Sequence, residues 1–371
     1  MSQRDDRQPP FGPLGGLGGG GSNGWDDWDP DEARRGYTGH VRALRDLDLR
    51  PGPLIDLPTP VNRPGAVGGV SAGGLSPAGL AASAKADTED YLTVTYDPRD
   101  PGFAELYDSV IVPRWSTPFG QLLLSVFLTL PRDAGYQLLD VACGTGYPTL
   151  ELARFLGQDC DLAGIDVWEE AIQIARRRAT EGWLRNVTFL VADVMASGLP
   201  ERSFDVLTCN LGLGSFADRP AALGAMWRLL RPGGQLLLTM PLQSAMREFL
   251  DTYYLTLRDL GLGDYMRAFG RLVAARPTAE TMRDLLERSG FEVRRTVTDS
   301  FTLRFPNPRA FLISPLIQTM YMVSWREVVP DLTVRRLVFN EVERRLLART
   351  QANGGELAMT TPMVCFSATR M

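Results

Sequence analysis

Short apolar runs alternate with segments of helical spacing from about residue 91 onward. Residues 103–112 and 118–130 repeat their apolar positions at helical spacing and predict two helices. The strand–helix alternation that follows them predicts an α/β fold, with a parallel sheet covered on both faces. The predicted strands are residues 137–141, 162–167, 187–191, 204–209 and 235–240, and the helices between them are residues 149–155, 169–180 and 219–230.

Residues 1–90 lack this alternation. They hold 17 of the 37 glycines and 10 of the 26 prolines. Such a segment buries too little apolar surface to offset its chain entropy, so we expect a disordered N-terminal extension. Within it, Val41, Leu44 and Leu47 predict a short amphipathic helix. We interpret this helix as residual structure in a tail, and the alternative is a peptide that docks on a partner protein.

Charge and rare residues exclude several kinds of site. The chain carries a net charge of −5, of which residues 1–90 account for −4, so we expect no basic nucleic-acid-binding face. The single lysine, Lys85, and the single histidine, His40, both precede residue 91. The folded part therefore offers no Walker A or Schiff-base lysine, no Ser-His-Asp triad and no histidine-ligated metal.

The thiols and the apolar runs bear on location. The four cysteines lie far apart and form no CxxC pair, so neither a zinc site nor a redox dithiol is expected. Dispersed thiols fit a reducing cytoplasm, and no signal peptide is visible. The longest apolar runs, residues 121–130 and 310–325, are too short or too interrupted for a transmembrane segment. We expect a cytoplasmic protein.

The sharpest motif runs from Asp140 to Gly146 and follows the first predicted strand. Gly144 and Gly146 allow a tight turn and a close approach of a ligand to the backbone. An ordinary turn between a strand and a helix is the alternative. Asp166 lies 20 residues after Gly146 at the end of the second strand, and Asp193 ends the third. Parallel strands bring these carboxylates to one sheet edge, where such folds bind ligands.

The chemistry of these residues distinguishes two nucleoside cofactors. A carboxylate at Asp166 is placed to bind both hydroxyls of a ribose. A dinucleotide-binding loop would have the pattern GxGxxG, but here Thr149 occupies the position of the third glycine. A loop led by Asp140 would repel a pyrophosphate and attract a cationic sulfonium. For Asp193, a helix N-cap or a solvated loop remains the alternative.

The sequence resembles class I S-adenosylmethionine-dependent methyltransferases, and among them the ubiquinone/menaquinone-biosynthesis C-methyltransferases and their small-molecule relatives. The resemblance rests on residues 140–146, Asp166, Asp193, residues 203–206 (Ser-Phe-Asp-Val) and residues 229–234 (Leu-Leu-Arg-Pro-Gly-Gly). It implies a Rossmann-like sheet of seven mostly parallel strands with helices on both faces. The last two strands would then be residues 291–297 and 359–369.

The resemblance also implies the cofactor, S-adenosyl-L-methionine, and its contacts. The glycine loop would flank the methionine part, Asp166 the ribose, and Asp193 with the Val194 amide the adenine. The family usually has glycine where this chain has Ala142, and we expect binding to survive the added methyl group. The implied cofactor-binding residues are Asp140, Ala142, Cys143, Gly144, Thr145, Gly146, Asp166, Val167, Asp193, Val194, Asn210 and Leu211.

The family pattern makes residues 91–371 a methyltransferase domain with its core at 135–242. Three segments, residues 100–130, 244–275 and 308–347, are rich in methionine and aromatic residues, and we expect them to form helical lids over an acceptor pocket. The alternative is that these side chains are the core of the capping helices. The pocket candidates are Tyr107, Trp115, Phe119, Tyr254, Phe311, Met322 and Trp325.

Several acceptors are disfavoured. Residues 210–213 (Asn-Leu-Gly-Leu) lack the Pro-Pro-aromatic motif of base-modifying amino-methyltransferases, and Thr208-Cys209-Asn210 offers no acidic metal ligand. No histidine base is available in the folded part. We therefore expect C-, N- or O-methylation of a small, apolar or aromatic acceptor, with no catalytic residue assigned. A cofactor-binding module without catalysis and a protein methyltransferase are the alternatives.

Overall fold

The structure is a computed structural model that describes residues 90–100, 102–130, 135–352 and 355–371. Seven strands form one sheet, in the spatial order third, second, first, fourth, fifth, seventh, sixth. The first five strands run parallel, and the seventh is antiparallel to both of its neighbours. The strands are β1 (Gln137–Val141), β2 (Asp161–Asp166), β3 (Val187–Val191), β4 (Phe204–Asn210), β5 (Leu230–Pro241), β6 (Phe291–Phe305) and β7 (Leu357–Arg370).

Helices cover both faces of the sheet, and the predicted mostly parallel α/β architecture is confirmed. The helices are α1 (Phe103–Leu106), α2 (Thr117–Phe127), α3 (Thr149–Leu156), α4 (Glu169–Glu181), α5 (Arg219–Leu229), α6 (Arg247–Asp259), α7 (Gly263–Ala274), α8 (Ala279–Arg288), α9 (Pro308–Ile313), α10 (Pro315–Ile317), α11 (Val323–Glu327) and α12 (Leu332–Ala352). Two π-helical segments, Tyr107–Ser116 and Gln318–Met322, join α1 to α2 and α10 to α11.

Two apolar clusters hold the helices to the sheet. On one face, Met226 of α5 and Leu286 of α8 pack against β4 and β5. On the other, Leu150 of α3 and Ile172 of α4 pack with Phe189 of β3. Burial of such side chains is the main favourable term in folding. The run of three buried leucines at residues 236–238 of β5 reflects coverage of this strand on both sides.

The β6–β7 hairpin extends past the rest of the sheet. Pairing of β5 with β7 ends at Pro241 opposite Met363, whereas β6 and β7 stay paired out to Phe305 opposite Leu357. The hairpin therefore rises above the carboxyl edge of β4 and β5 and carries α9–α12 there. The resemblance implied shorter last strands, residues 291–297 and 359–369. β6 continues past the polar residues 298–300 (Thr-Asp-Ser), because Phe301, Leu303 and Phe305 resume the alternation of apolar and polar positions.

The lid helices pack on one another. Tyr253 of α6 meets Phe339 of α12 with ring centres 5.4 Å apart, and Asp259 of α6 pairs with Arg345 at 2.8 Å. The first described residues join this assembly, because the Tyr91 carbonyl accepts hydrogen bonds from Gln318 and Arg326. The helix and docking peptide predicted before residue 90 lie outside the described residues.

One predicted break is absent. The sequence pattern separates two helices at residues 113–117, but the structure runs continuously from α1 to α2, with Pro113 inside the π-helical segment. A wide π-helical turn admits a residue without an N–H inside a continuing helix, and such segments often lie at functional sites. No helix within the described ranges is long and apolar enough to cross a membrane.

Candidate functional site

The glycine loop follows β1 at the carboxyl edge of the sheet. Gly144 has φ +54° and Gly146 has φ +97°, the left-handed region that favours glycine. A Cβ on Gly146 would lie 3.0 Å from Leu150 Cδ1 and 3.1 Å from Ala175 Cβ, so this position must stay bare for α3 and α4 to pack. A Cβ on Gly144 would meet open space. The backbone at Gly144 therefore borders open space.

Ala142 also adopts the left-handed conformation, with φ +57°. Space for its methyl group comes from Gly212, just after β4, because a Cβ at Gly212 would lie 2.5 Å from Ala142 Cβ. The departure from the family's usual glycine is thus matched by a glycine on the neighbouring strand's loop. The sequence alone gave no sign of this pairing, since residues 142 and 212 are far apart in the chain.

We expect Gly212→Ala to destabilise the protein by about 1–3 kcal/mol through overpacking. Ala142→Gly should stabilise it by up to about 1 kcal/mol, since glycine removes the cost of a left-handed alanine. The Gly212→Ala/Ala142→Gly double variant should recover part of the loss. Urea unfolding of the four proteins gives the coupling energy. Strict additivity of the two changes would contradict this contact.

Asp140 is fully buried at the end of β1. Its carboxylate accepts hydrogen bonds from the Thr149 and Thr208 hydroxyls, the second at 2.7 Å. Burial raises the pKa of Asp140 to about 7, the two hydroxyls oppose the shift, and the negative charge of Asp166 adds to it. Because the pKa of Asp140 lies near neutral pH, a nearby cation would favour the ionised form of this carboxyl group.

The raised pKa of Asp140 makes a pH dependence testable. An unfolded aspartate ionises near pH 4, so the folded state is stabilised by the retained proton at low pH and loses that advantage as pH rises to about 7. Asp140→Asn cannot ionise. Its melting temperature should match the wild type near pH 4 and exceed it by several degrees at pH 8. Parallel curves for the two proteins would refute the assignment.

Asp166 ends β2 and holds the glycine loop. Its Oδ2 accepts from the Gly144 amide at 2.8 Å and its Oδ1 from the Trp168 amide at 2.9 Å. Burial raises the pKa of Asp166, while these backbone N–H groups favour the charged form. Each carboxylate oxygen keeps a further lone pair for a hydroxyl donor. The next residue, Val167, leaves 57% of its surface exposed, an apolar face beside a polar edge.

The remaining predicted cofactor residues reach the same edge. Asp193 closes the turn after β3 by accepting from the Met195 amide at 2.9 Å, and Val194 is buried beneath it. Asn210 at the end of β4 accepts from the Thr239 hydroxyl at 2.6 Å and donates to the Ser116 carbonyl at 3.2 Å. It thereby links β4 and β5 to the continuous helix formed by residues 103–127, which we call the covering helix. Leu211 follows in the left-handed conformation.

The covering helix brings an unpredicted carboxylate to the loop. Asp108, in the first π-helical segment, pairs with Arg178 of α4 at 2.6 Å. Burial raises the pKa of Asp108, opposed by the neighbouring Thr145 hydroxyl and by Arg178. Asp108 Oδ1 and Thr145 Oγ1 are both buried without a hydrogen-bond partner among the described residues. The sequence did not single out Asp108, because Glu105 lies on the same predicted helix.

The predicted pocket residues divide into four groups. Tyr107 contacts Trp168 edge-on at 5.4 Å, which places it on the Asp166 side. Trp115 and Phe119 meet Phe301 of β6 at 6.0 and 5.5 Å. Tyr254 is half-buried on α6.

Phe311, Met322 and Trp325 are fully buried among other lid residues. Trp325 stacks on Phe249 with ring centres 3.8 Å apart. This packing agrees with the alternative that these side chains form the core of the capping helices. That these three residues line a pocket stays a prediction. The residue of this segment that contacts Trp115 is Tyr321, whose ring lies edge-on to the Trp115 ring at 5.8 Å.

The comparisons with known proteins agree with this geometry. A model of the methyltransferase domain family matches residues 132–258. The ubiquinone/menaquinone biosynthesis C-methyltransferase UbiE of Shewanella halifaxensis is 29% identical over 168 residues, 43% of this chain and 67% of that protein. The nocamycin O-methyltransferase of Saccharothrix syringae is 30% identical over 275 residues, 70% of this chain and 93% of that protein. The crystal structure of YcgJ from Bacillus subtilis covers 67% of this chain and 98% of its own, with 15% identity and a TM-score of 0.43.

The strand order, the antiparallel seventh strand and the glycine loop define a class I methyltransferase fold. The chain belongs to the S-adenosylmethionine-dependent methyltransferases and is related to the UbiE C-methyltransferases. Its cofactor is S-adenosylmethionine, as the resemblance implied. Within the described ranges no cluster of three potential ligands for a metal ion is found.

Proposed function

We propose that the protein transfers the methyl group of S-adenosylmethionine to a small, ring-bearing, largely apolar acceptor. The observation that carries this proposal is the aromatic wall of Trp115, Phe119, Phe301 and Tyr321 above the carboxyl ends of β4 and β5. Aromatic walls of this kind bind apolar ring systems and exclude water.

The cofactor assignments follow the chemistry of each side chain. Asp166 accepts hydrogen bonds from the ribose hydroxyls, and Val167 with Asp193 and Val194 borders the adenine. Asp108 Oδ1 and Thr145 Oγ1, buried without partners in the described ranges, suit an ammonium and a carboxylate, the two charged groups of the methionine end. Open space over Gly144 admits the ligand's close approach.

S-adenosylmethionine supplies an activated methyl group on a cationic sulfur, ready for in-line displacement. The chain's part is to orient the acceptor, exclude water and stabilise charge. Asp140, ionised more readily beside a cation, contributes negative potential at the loop. Asn210 and Leu211 shape the floor between cofactor and acceptor, because Asn210 fixes β4 against β5 and Ser116.

The relatives support a small acceptor. The matches to UbiE enzymes cover 43% of this chain, whereas the match to nocamycin O-methyltransferase covers 70% of it. The longer match leaves room for shared lid elements, and the names of these relatives refer to methylation in ubiquinone/menaquinone biosynthesis and to nocamycin. A cofactor-binding module without catalysis and a protein methyltransferase remain the competing functions.

An activity screen separates these functions. The purified protein is incubated with S-adenosylmethionine and a panel of phenols, enolic ring compounds and aromatic acids, and S-adenosylhomocysteine is quantified by mass spectrometry. We expect acceptor-dependent product with at least one ring-bearing compound, and much less product with Asp166→Ala at the same subsaturating cofactor concentration. Binding without turnover of any acceptor would favour the module, and methylation of polypeptides alone would favour the protein methyltransferase.

A further inference from the structure

Arg276 lies between α7 and α8 and is buried without a carboxylate partner. Its side chain is 7% exposed, and no ion pair of the described residues includes it. Its Nη1 donates to the carbonyls of Ala245 at 3.0 Å and Gln243 at 3.5 Å. Its Nε and Nη2 make no hydrogen bond within the described ranges. Most of the guanidinium's donors are therefore unused.

Tyr321 lies directly beside this guanidinium. The central carbon of the Arg276 guanidinium is 5.4 Å from the centre of the Tyr321 ring. The Tyr321 hydroxyl, like the free donors of Arg276, has no hydrogen-bond partner in the part of the chain that the structure describes. Tyr321 belongs to one π-helical segment and Trp115 to the other, so the two irregular segments meet at this point. Both are of the kind that recurs at functional sites.

The pair lies near the carboxyl ends of β4 and β5. Gln243 and Ala245 directly follow the end of β5. On the other side, Trp115 precedes Ser116, whose carbonyl accepts from Asn210 at the end of β4. Arg276 and Tyr321 are thus linked by direct contacts to the carboxyl ends of both strands. Tyr321 therefore contacts both Trp115 of the aromatic wall and Arg276.

We propose that Arg276 and Tyr321 recognise an anionic oxygen group on the acceptor, so that the acceptor is a ring-bearing acid. A buried guanidinium without a counter-charge is costly, and the two carbonyls offset only part of that cost. A carboxylate or enolate supplies the missing charge, and the planar guanidinium suits such a group. The Tyr321 hydroxyl adds a donor. This inference rests on the proposed function, because it names the acceptor class of the same site.

The alternative is a purely structural arginine, and the chain contains one for comparison. Arg370 is also buried, donates from Nη1 to the carbonyls of Trp227 and Arg228 at 2.9 and 3.1 Å, and lies 3.6 Å from the Trp227 ring centre. It sits at the end of β7 that pairs with the start of β6, away from the carboxyl edge. Arg370→Gln is therefore a matched control.

The test compares 1-naphthoate with its neutral analogue 1-naphthamide, titrated into the full chain saturated with S-adenosylhomocysteine. The wild type should bind naphthoate at least tenfold more tightly than naphthamide. Arg276→Gln should lose that preference by weakening naphthoate binding about tenfold while naphthamide changes less than twofold. Arg276→Lys and Tyr321→Phe should retain part of it, and Arg370→Gln all of it.

Two results would overturn the inference. In the first, the wild type binds the two probes equally or does not bind naphthoate. In the second, a folded Arg276→Gln protein keeps the preference for naphthoate. If thermal melting shows that Arg276→Gln is unfolded, an unchanged preference in both Arg276→Lys and Tyr321→Phe overturns it instead. The affinity for S-adenosylhomocysteine is measured in every protein. A wild type that does not bind S-adenosylhomocysteine would contradict the proposed function. A wild type that binds S-adenosylhomocysteine but shows no preference between the probes contradicts only the role of Arg276.

Discussion

Replacing Asp166 by alanine is expected to weaken S-adenosylmethionine binding 10- to 100-fold, which corresponds to about 1.5–3 kcal/mol for hydrogen bonds to a charged group. The structure gives two reasons. The variant loses the acceptor proposed for the ribose hydroxyls, and it releases the Gly144 amide that Oδ2 holds at 2.8 Å. Calorimetric titration measures the affinity of each protein.

Asp161, at the other end of β2, provides the matched control. It is exposed, and among the described residues its carboxylate accepts only from the Gln137 side chain. Asp161→Ala should bind the cofactor like the wild type. Equal affinities for the Asp166→Ala protein and the wild type would remove Asp166 from the cofactor site.

Replacing Trp325 by alanine is expected to lower the free energy of unfolding by about 3–5 kcal/mol, the usual cost of emptying an aromatic core position. Trp325 is fully buried and stacks on both Phe249 and Tyr321. The cavity would lie where α6 meets the segments carried by the β6–β7 hairpin. Urea unfolding is the measurement.

Trp183 offers the control for this change, because 83% of its surface is exposed. Trp183→Ala should alter the free energy of unfolding by less than about 0.5 kcal/mol. A Trp325→Ala protein as stable as the wild type, with only acceptor binding impaired, would restore the prediction that Trp325 lines the pocket.

The parts of the fold that follow from local pattern could be predicted from the sequence. The strands β1, β2 and β4 are each a largely apolar run followed by helical spacing, and the parallel sheet follows from that alternation. The glycine loop and Asp166 were found because tight turns and ribose binding require particular residues at particular spacings. The structure brings them into direct contact through the Gly144 amide.

Other parts depend on contacts between distant residues and carry no local signal. The methyl group of Ala142 needs the bare Gly212, and Asp108 is held near the loop by its ion pair with Arg178 of α4. In the lid, an apolar residue at helical spacing suits either a core or a pocket wall. Trp325 and Tyr321 are aromatic residues of the same predicted lid segment. Only their contacts in the structure distinguish them, because Trp325 stacks on Phe249 whereas Tyr321 lies beside Arg276.

The central claim is that the carboxyl edge formed by Gly144, Asp166 and Asp193 binds S-adenosylmethionine. Calorimetric titration of the purified wild-type chain with S-adenosylmethionine and S-adenosylhomocysteine tests it most directly. We expect saturable binding of both ligands at one site per chain, with an affinity that falls in Asp166→Ala and is kept in Asp161→Ala. Absence of binding heat from either ligand at millimolar concentration, over a range of temperatures, would contradict the claim.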